Sequence, residues 1–316
     1  MTQKLPKQRS PKQTSEEATT QDGWSGFGDV RAPGVCGELV QGMMGESHFL
    51  VTCPIDYFAR ARVNLSQNGD GLDTPGDCPK SAAALMATLD HLGHGQLSGK
   101  LTINSPIPRS KGMGSSSADI TATIAATALA LGTELTPETI ATIALSVEPS
   151  DGVMFPGIAL LDHREGSIIQ VLGTPPPMEI VALDWGGTVD TVEFNAVDRR
   201  SQWKSIQYEV DEALKLVKTG IREQDPGLIG QGASISSRAS QAVLFKPQLP
   251  EAMEFAEKVG AVGVNIGHSG TIIGILLDAR ERTGKSVYHK ANQAFPNAET
   301  INHFRLLSGG IRRVAS

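Results

Sequence analysis

The stretch from Pro106 to Thr123, PIPRSKGMGSSSADITAT, decides how the chain is read. Two glycines and a run of three serines stand between an apolar, strand-like run, GKLTINSPIP, and a run of small residues with helical character. Glycine lets a backbone approach a ligand closely and serines add hydroxyl donors, so such a loop opening a helix is a natural anion site. The anion expected is a phosphate. The plainer reading is a strand-to-helix turn capped by serine, since Ser and Gly are favoured there. Three consecutive hydroxyls exceed what one cap requires.

Two familiar phosphate loops do not fit. A Walker loop needs Lys after its second glycine, whereas Lys111 precedes Gly112 and Gly114. A dinucleotide fingerprint needs a third glycine where Ser117 stands and an acidic residue closing a following strand about 20 positions on, and neither is present. What remains is a strand, a proline-containing lead, and G-x-G-S-S-S-A running into a helix.

The rest of the chain sets bounds. With 316 residues it can hold one large or two medium domains around a real core. Twenty-eight Lys and Arg against 34 Asp and Glu give a net charge of -6, which leaves no basic footprint for nucleic acid or an anionic membrane. A small-molecule partner is expected. Cys36, Cys53 and Cys78 are an odd number without a CxxC pair, so neither a disulfide framework nor a zinc site is indicated, and a reduced cytoplasm fits. No apolar run approaches the ~18 residues of a membrane span, and the polar N-terminus lacks the apolar segment of a signal peptide.

Residues 1–28 are rich in Lys, Gln, Ser, Thr and Pro and read as a disordered polar tail. From Asp29 the chain reads as short strands, VRAPGVCGELVQ, HFLVTCPI and YFARARVNL, with GMMGES as a turn. A helix at CPKSAAALMATLDHLG, the strand and loop already described, and helices over Ala118 to Leu131 and Pro137 to Val147 follow. Two strands around a turn at His163 to Gly166 and a third at MEIVALDW come next. Helices near 200–219, 226–240 and 250–259, the strands VGVNI and GTIIGILLD, and a helix from Lys285 to Ala294 complete the reading. The class is α+β in two lobes, a first domain over 29–190 and a second over 191–316.

PIPRSKGMGSSSA resembles the phosphate-binding motif of the GHMP kinases, the family of galactokinase, homoserine kinase, mevalonate kinase and phosphomevalonate kinase, usually written P-x-x-x-G-L-G-S-S-A. APGVCGELVQG near the start and VGVNIGHSGTIIGILLD near the end fall where that family carries its other two motifs. Within the family, PGVCGELVQG followed by CPID, the lysine before the loop, SVEPSDG, the DH of ALLDH and NIGHSGTIIGILLD resemble the L-threonine kinases of cobalamin synthesis. The resemblance implies a ribosomal-protein-S5-like N-terminal lobe joined to a ferredoxin-like C-terminal lobe, with ATP and Mg2+ between them. It implies transfer of phosphate to the hydroxyl of L-threonine, to make L-threonine O-3-phosphate for the aminopropanol linker. The sequence leaves the oligomeric state open, with a homodimer as one expectation. A kinase for homoserine or another small alcohol, and a non-catalytic relative that only binds ATP or its small molecule, stand as alternatives.

The resemblance also assigns residues. Pro108, Arg109, Ser110, Lys111, Gly112, Met113, Gly114, Ser115, Ser116, Ser117 and Ala118 would hold ATP, with Ser116 also meeting Mg2+. Lys111 either neutralises phosphate charge or stands on the surface beside the loop. A kinase of this type needs a magnesium ligand and a group that accepts or orients the acceptor's hydroxyl proton. Carboxylates supply both, and Mg2+ prefers oxygen. Glu148 as metal ligand and Asp151 as base are the candidates, because Pro149 ends the preceding helix and leaves both at a helix-to-loop junction. The rival is that PSDG is an ordinary turn. Glu38, in the first motif, would suit the ammonium of an amino-acid acceptor, or is a solvated strand glutamate. Gly267, His268, Ser269 and Gly270 either close over nucleotide and acceptor or make a hairpin turn. His91 and His94 read as complements to a helix C-terminus rather than metal ligands.

Overall fold

The computed structural model describes residues 24–187, 197–267 and 270–315. Its first two strands, β1 (Ser25–Met44) and β2 (Ser47–Ser66), form a long antiparallel hairpin closed at Gly45 and Glu46. Both are rich in β-branched and apolar residues, and both are buried along most of their length. After the short β3 (Leu72–Asp73) come α1 (Pro79–His91), β4 (Ser98–Asn104), α2 (Ser115–Ala130) and α3 (Pro137–Val147). Thr136 caps α3 by accepting a hydrogen bond from the backbone of Thr139, and Pro137 occupies its first turn. Strands β5 (Ile158–Leu161), β6 (Ile169–Gly173) and β7 (Met178–Asp184) follow. The second half holds α4 (Arg200–Ser205), α5 (Gln207–Glu223), α6 (Pro226–Ala239), α7 (Leu249–Val259), β8 (Gly263–Ile266), β9 (Ile273–Asp278), α8 (Gly284–Ala294), β10 (Thr300–Arg305) and β11 (Arg312–Arg313).

Among the described residues the strands join one sheet in the order β10-β7-β9-β8-β1-β2-β4-β3, with β5 also on β2 and β6 on β5. The two halves meet where Glu38 of β1 pairs with Ile266 of β8. One core lies under α1, α2 and α3 and continues beneath α5 and α6. A second covers the other face of β7, β8 and β9, where Phe255 of α7 and Val287 of α8 pack with Phe295. No described helix is long and apolar enough to cross a membrane.

Several elements differ from the reading of the sequence, among them β2, one continuous strand where HFLVTCPI and YFARARVNL read as two. Strand β1 begins at Ser25, inside the stretch assigned to the polar tail. The cause is Gly26 and Gly28: a Cβ at either would overlap a carbonyl of α2, that of Ala130 or Ala126, so these glycines let the helix lie directly on the strand. A boundary at 190 leaves β7 with the first domain, although its partners are β9 and β10 of the second half. Strand β10 went unread because TINHFR is polar and short, and it is held by pairing with β7 rather than by an apolar pattern.

Strand β1 is irregular where it matters most. Its register slips between Pro33 and Val35, between Val35 and Glu38, and between Glu38 and Val40. In a regular strand, residues an odd number apart point to opposite faces. The added residues of these bulges turn Val35, Glu38 and Gln41 all toward one cavity. The same bend frees backbone donors: Val35 N–H bonds the carbonyl of Met113 and Gly37 N–H that of Gly112, each at 3.0 Å. The first motif therefore pins the loop of the second.

Candidate active site

The cavity beside this loop measures about 540 Å3. It is lined by Pro108, Arg109 and Ser110, by Gly112 through Ser117, by the start of α1, by Glu148 to Asp151, and by Glu38 and Gln41 of β1. Gly114, at φ 62°, opens α2, and no side chain caps the helix. Its first-turn N–H groups lack the helical partners that later ones have, so they are donors facing the cavity. The helix start thus offers backbone donors and a positive dipole end to an anion. The serine-cap reading of the loop does not hold, because the hydroxyls go elsewhere.

Ser116 donates to one carboxylate oxygen of Glu148, and Lys80 pairs with the other. Lys80 sits in the first turn of α1, where a cation is opposed by the helix dipole unless an anion is close. Glu148 is that anion. Ser117 donates to Asp151 Oδ2 at 3.0 Å and accepts from the Asp151 backbone N–H at 3.0 Å. Gly152 N–H reaches Thr52 Oγ1 of β2 at 3.2 Å. The PSDG turn is therefore clamped to both α2 and the sheet, and its aspartate opens onto the cavity. Enclosure by protein pushes the Asp151 carboxyl up to about 7, with the nearby Glu38 charge adding to the effect, Ser117 opposing it, and Glu148 contributing least.

Glu38 is 5 % exposed, which excludes the solvated strand glutamate. One buried lysine, Lys246, stands near enough to feel its charge. Lys246 donates to the carbonyl of Gly270, and burial lowers its pKa to about 8 although Glu38 and Asp184 favour its charge. Lys111 does not face the cavity. Its ammonium bonds Asp184 at 3.0 Å and Glu299 at 3.4 Å, and those carboxylates outweigh burial to raise its pKa. Ala118 also leaves the cavity lining and is fully buried.

Gly267 and Gly270 press on the loop from behind rather than lining the cavity. A Cβ at Gly270 would overlap the Cα of Gly112, and one at Gly267 would lie 3.3 Å from it. The carbonyl of Lys111 accepts from the N–H groups of Thr271 and Ile272, at 3.0 and 3.1 Å. His268 and Ser269 lie outside the described residues. His91 and His94 are exposed, and no group of three or more His, Cys, Asp or Glu side chains suited to a metal occurs among the described residues.

The sequence left Lys80, Gln41, Asp119 and Lys246 unassigned. Gln41 Oε1 and Asp119 Oδ1 are buried at this cavity without a hydrogen-bond partner. Ser116 and Glu148 bring two hard oxygen donors together at the uncapped helix start, which suits a small divalent cation that also takes phosphate oxygens.

The chain is similar to known proteins in sequence and in fold. The family model "GHMP kinases N terminal domain" matches residues 79–156 and "GHMP kinases C terminal" matches residues 217–297. An L-threonine kinase of Salmonella typhimurium is 29 % identical over 291 residues, 90 % of this chain and 94 % of that protein. An L-threonine kinase of Citrobacter freundii is 31 % identical over 252 residues, 79 % of this chain and 86 % of that one. The fold matches the crystal structure of a homoserine kinase from Cytophaga hutchinsonii with a TM-score of 0.69, at 17 % identity, over 96 % of this chain and all of that one. With both halves of the family and its phosphate loop in place, the chain belongs to the GHMP kinases and is an ATP-using phosphotransferase.

Proposed function

We propose that this kinase transfers the γ-phosphoryl group of ATP to the hydroxyl of L-threonine, making L-threonine O-3-phosphate in the cytoplasm. By the family resemblance, the product would feed the aminopropanol linker of cobalamin. The observation that carries the reading is the juxtaposition, in one cavity, of an uncapped helix start, the Ser116 and Glu148 pair, and Asp151 beside Glu38. The named relatives support threonine as the acceptor.

In this reading the α2 N-terminus receives the phosphates, and Glu38 meets the acceptor's ammonium, with the Gln41 oxygen as a second acceptor for its protons. The threonine hydroxyl oxygen attacks the γ-phosphorus in line, the bond to the β-phosphate oxygen breaks, ADP leaves, and the hydroxyl proton passes to Asp151. A carboxyl held near 7 takes that proton readily at neutral pH. Most of the acceleration comes from positioning and from charge opposite the transferring group, to which Lys80 contributes. Ser116 and Glu148 would hold Mg2+, which when bound neutralises charge on the phosphates. The retained Ser116, Glu148 and Asp151 favour an enzyme over a binding-only relative.

A coupled ADP-release assay across threonine, serine, homoserine and mevalonate tests the acceptor. The highest kcat/KM is expected with threonine. A preference for homoserine or mevalonate would overturn the acceptor, and no ADP release with any of them would overturn the enzyme reading.

A further inference from the structure

Asp119 is the one ionisable side chain of α2, whose sequence is otherwise Ser, Ala, Ile, Thr and Leu. It is 5 % exposed and lines the cavity. Its Oδ1 is buried with no partner at hydrogen-bond distance; the Ser105 hydroxyl stands near enough to favour the charged carboxylate but makes no bond at that distance either. Leaving a buried acceptor unmade costs free energy, and helix packing requires no carboxylate at this place. Nothing in the transfer chemistry uses it.

Its position in the helix says what it meets. Asp119 follows Ser115 by four residues and Ser116 by three, so it lies on the same face of α2, about 5.4 Å further along the axis. The transfer point at Ser116, Glu148 and Asp151 fixes one end of the triphosphate, and the acceptor side lies toward Glu38. The nucleoside must therefore run the other way, between Pro108 to Ser110 and the start of α1. Arg109 closes that side by bonding the Asp77 carbonyl at 2.9 Å and Cys78 Sγ at 3.2 Å. One helical turn from its phosphates, a nucleotide offers two vicinal ribose hydroxyls, and an ionised carboxylate only accepts hydrogen bonds.

We infer that Asp119 is a nucleotide-binding residue whose carboxylate receives the ribose hydroxyls of ATP, making the kinase selective for ribonucleotides. The inference rests on the nucleotide reading above. Burial raises the Asp119 pKa to about 6, with Ser105 and Arg109 holding it lower than burial alone would, so the group is mostly ionised at neutral pH.

Calorimetric titration of the full chain with Mg2+ and ADP, 2′-deoxyADP, 3′-deoxyADP or inorganic tripolyphosphate tests it. Wild type should bind ADP about 10- to 100-fold more tightly than either deoxynucleotide, the scale of a charge-assisted hydrogen bond. Asp119→Ala and the shape-conserving Asp119→Asn should lose most of that preference and keep wild-type affinity for tripolyphosphate. Equal binding of ADP and both deoxynucleotides by wild type overturns the inference without any variant. An equal loss of ADP and tripolyphosphate in both variants also overturns it, because the residue would then only support the helix. If wild type binds neither ADP nor tripolyphosphate, the nucleotide reading itself falls.

Discussion

The cavity face of the loop from Gly112 to Ser117 presents hydroxyls to the carboxylates of Glu148 and Asp151, whereas its opposite face is backbone pressed on backbone. On the first, Ser116 meets Glu148 and Ser117 meets Asp151. On the second, Gly112 lies against Gly267 and Gly270, and the Lys111 carbonyl binds the strand that follows them. Two lysines divide in the same way. Lys80 joins the carboxylate of the cavity face, and Lys111 is locked to Asp184 and Glu299 behind it. The contrast teaches that one motif has two faces: side chains on one side meet the carboxylates of the cavity, and glycines on the other let three segments of backbone approach closely enough to hold the loop still.

The comparison is broken most directly at Asp151. Asp151→Asn should lower kcat by about 10²- to 10⁴-fold with ADP affinity nearly intact, the scale of a general base. The pH dependence follows from its carboxyl lying near 7. In wild type kcat/KM should climb up to about pH 7 as Asp151 ionises. Stability runs the opposite way. A carboxyl whose folded pKa is raised above the unfolded value of about 3.9 favours the fold at low pH, and that contribution is lost as pH rises through about 7. Ligand-free Asp151→Asn should therefore melt higher than wild type at pH 8, with the difference shrinking toward pH 5.

Next come Ser116→Ala and Glu148→Gln. Each should raise the Mg2+ concentration for half-maximal rate by about tenfold or more, and move the acceptor KM less. An unaltered magnesium requirement would remove that residue from the ligand set. On the rear face, Gly270→Ala puts a methyl group onto the Gly112 backbone. It should lower the melting temperature by several degrees and weaken ADP about tenfold, since overpacking of a fixed backbone costs about 1–3 kcal/mol.

The smallest effect on chemistry belongs to Lys111→Met. It strands Asp184, which is 4 % exposed, so stability should fall as it does when one partner of a buried ion pair is removed. The KM for ATP should stay within about threefold of wild type. A hundredfold rise would return Lys111 to the phosphates and erase the distinction between the two lysines.

Local signals carried much of this. The loop reads as an anion site because three consecutive serine hydroxyls exceed what one helix cap uses, and α3 reads correctly from Pro137 to Val147 because a capping threonine, a proline and a terminating Pro149 bracket it. Partnerships across the chain are another matter. Lys80 and Glu148 are 68 residues apart, and a lysine at a helix start looks like any surface lysine until the fold brings a carboxylate to it. Adjacency to the loop does not reveal the direction of Lys111: Ser110, at φ 60°, reverses the backbone just before it. The burial of Glu38 and Gln41 depends on bulges in β1 that no alternation of polar and apolar residues announces. Gly26 and Gly28 read as part of a polar tail for a related reason, since their purpose is space for α2.

The measurement closest to the central claim is product formation followed by phosphorus NMR, with ATP, Mg2+ and L-threonine and either wild type or Asp151→Asn at matched ADP occupancy. The account predicts a phosphomonoester resonance of O-phosphothreonine that grows with ADP in wild type and falls at least a hundredfold in the variant. Phosphothreonine formed at the wild-type rate by Asp151→Asn, or ATP consumed by wild type with only inorganic phosphate appearing, would contradict it.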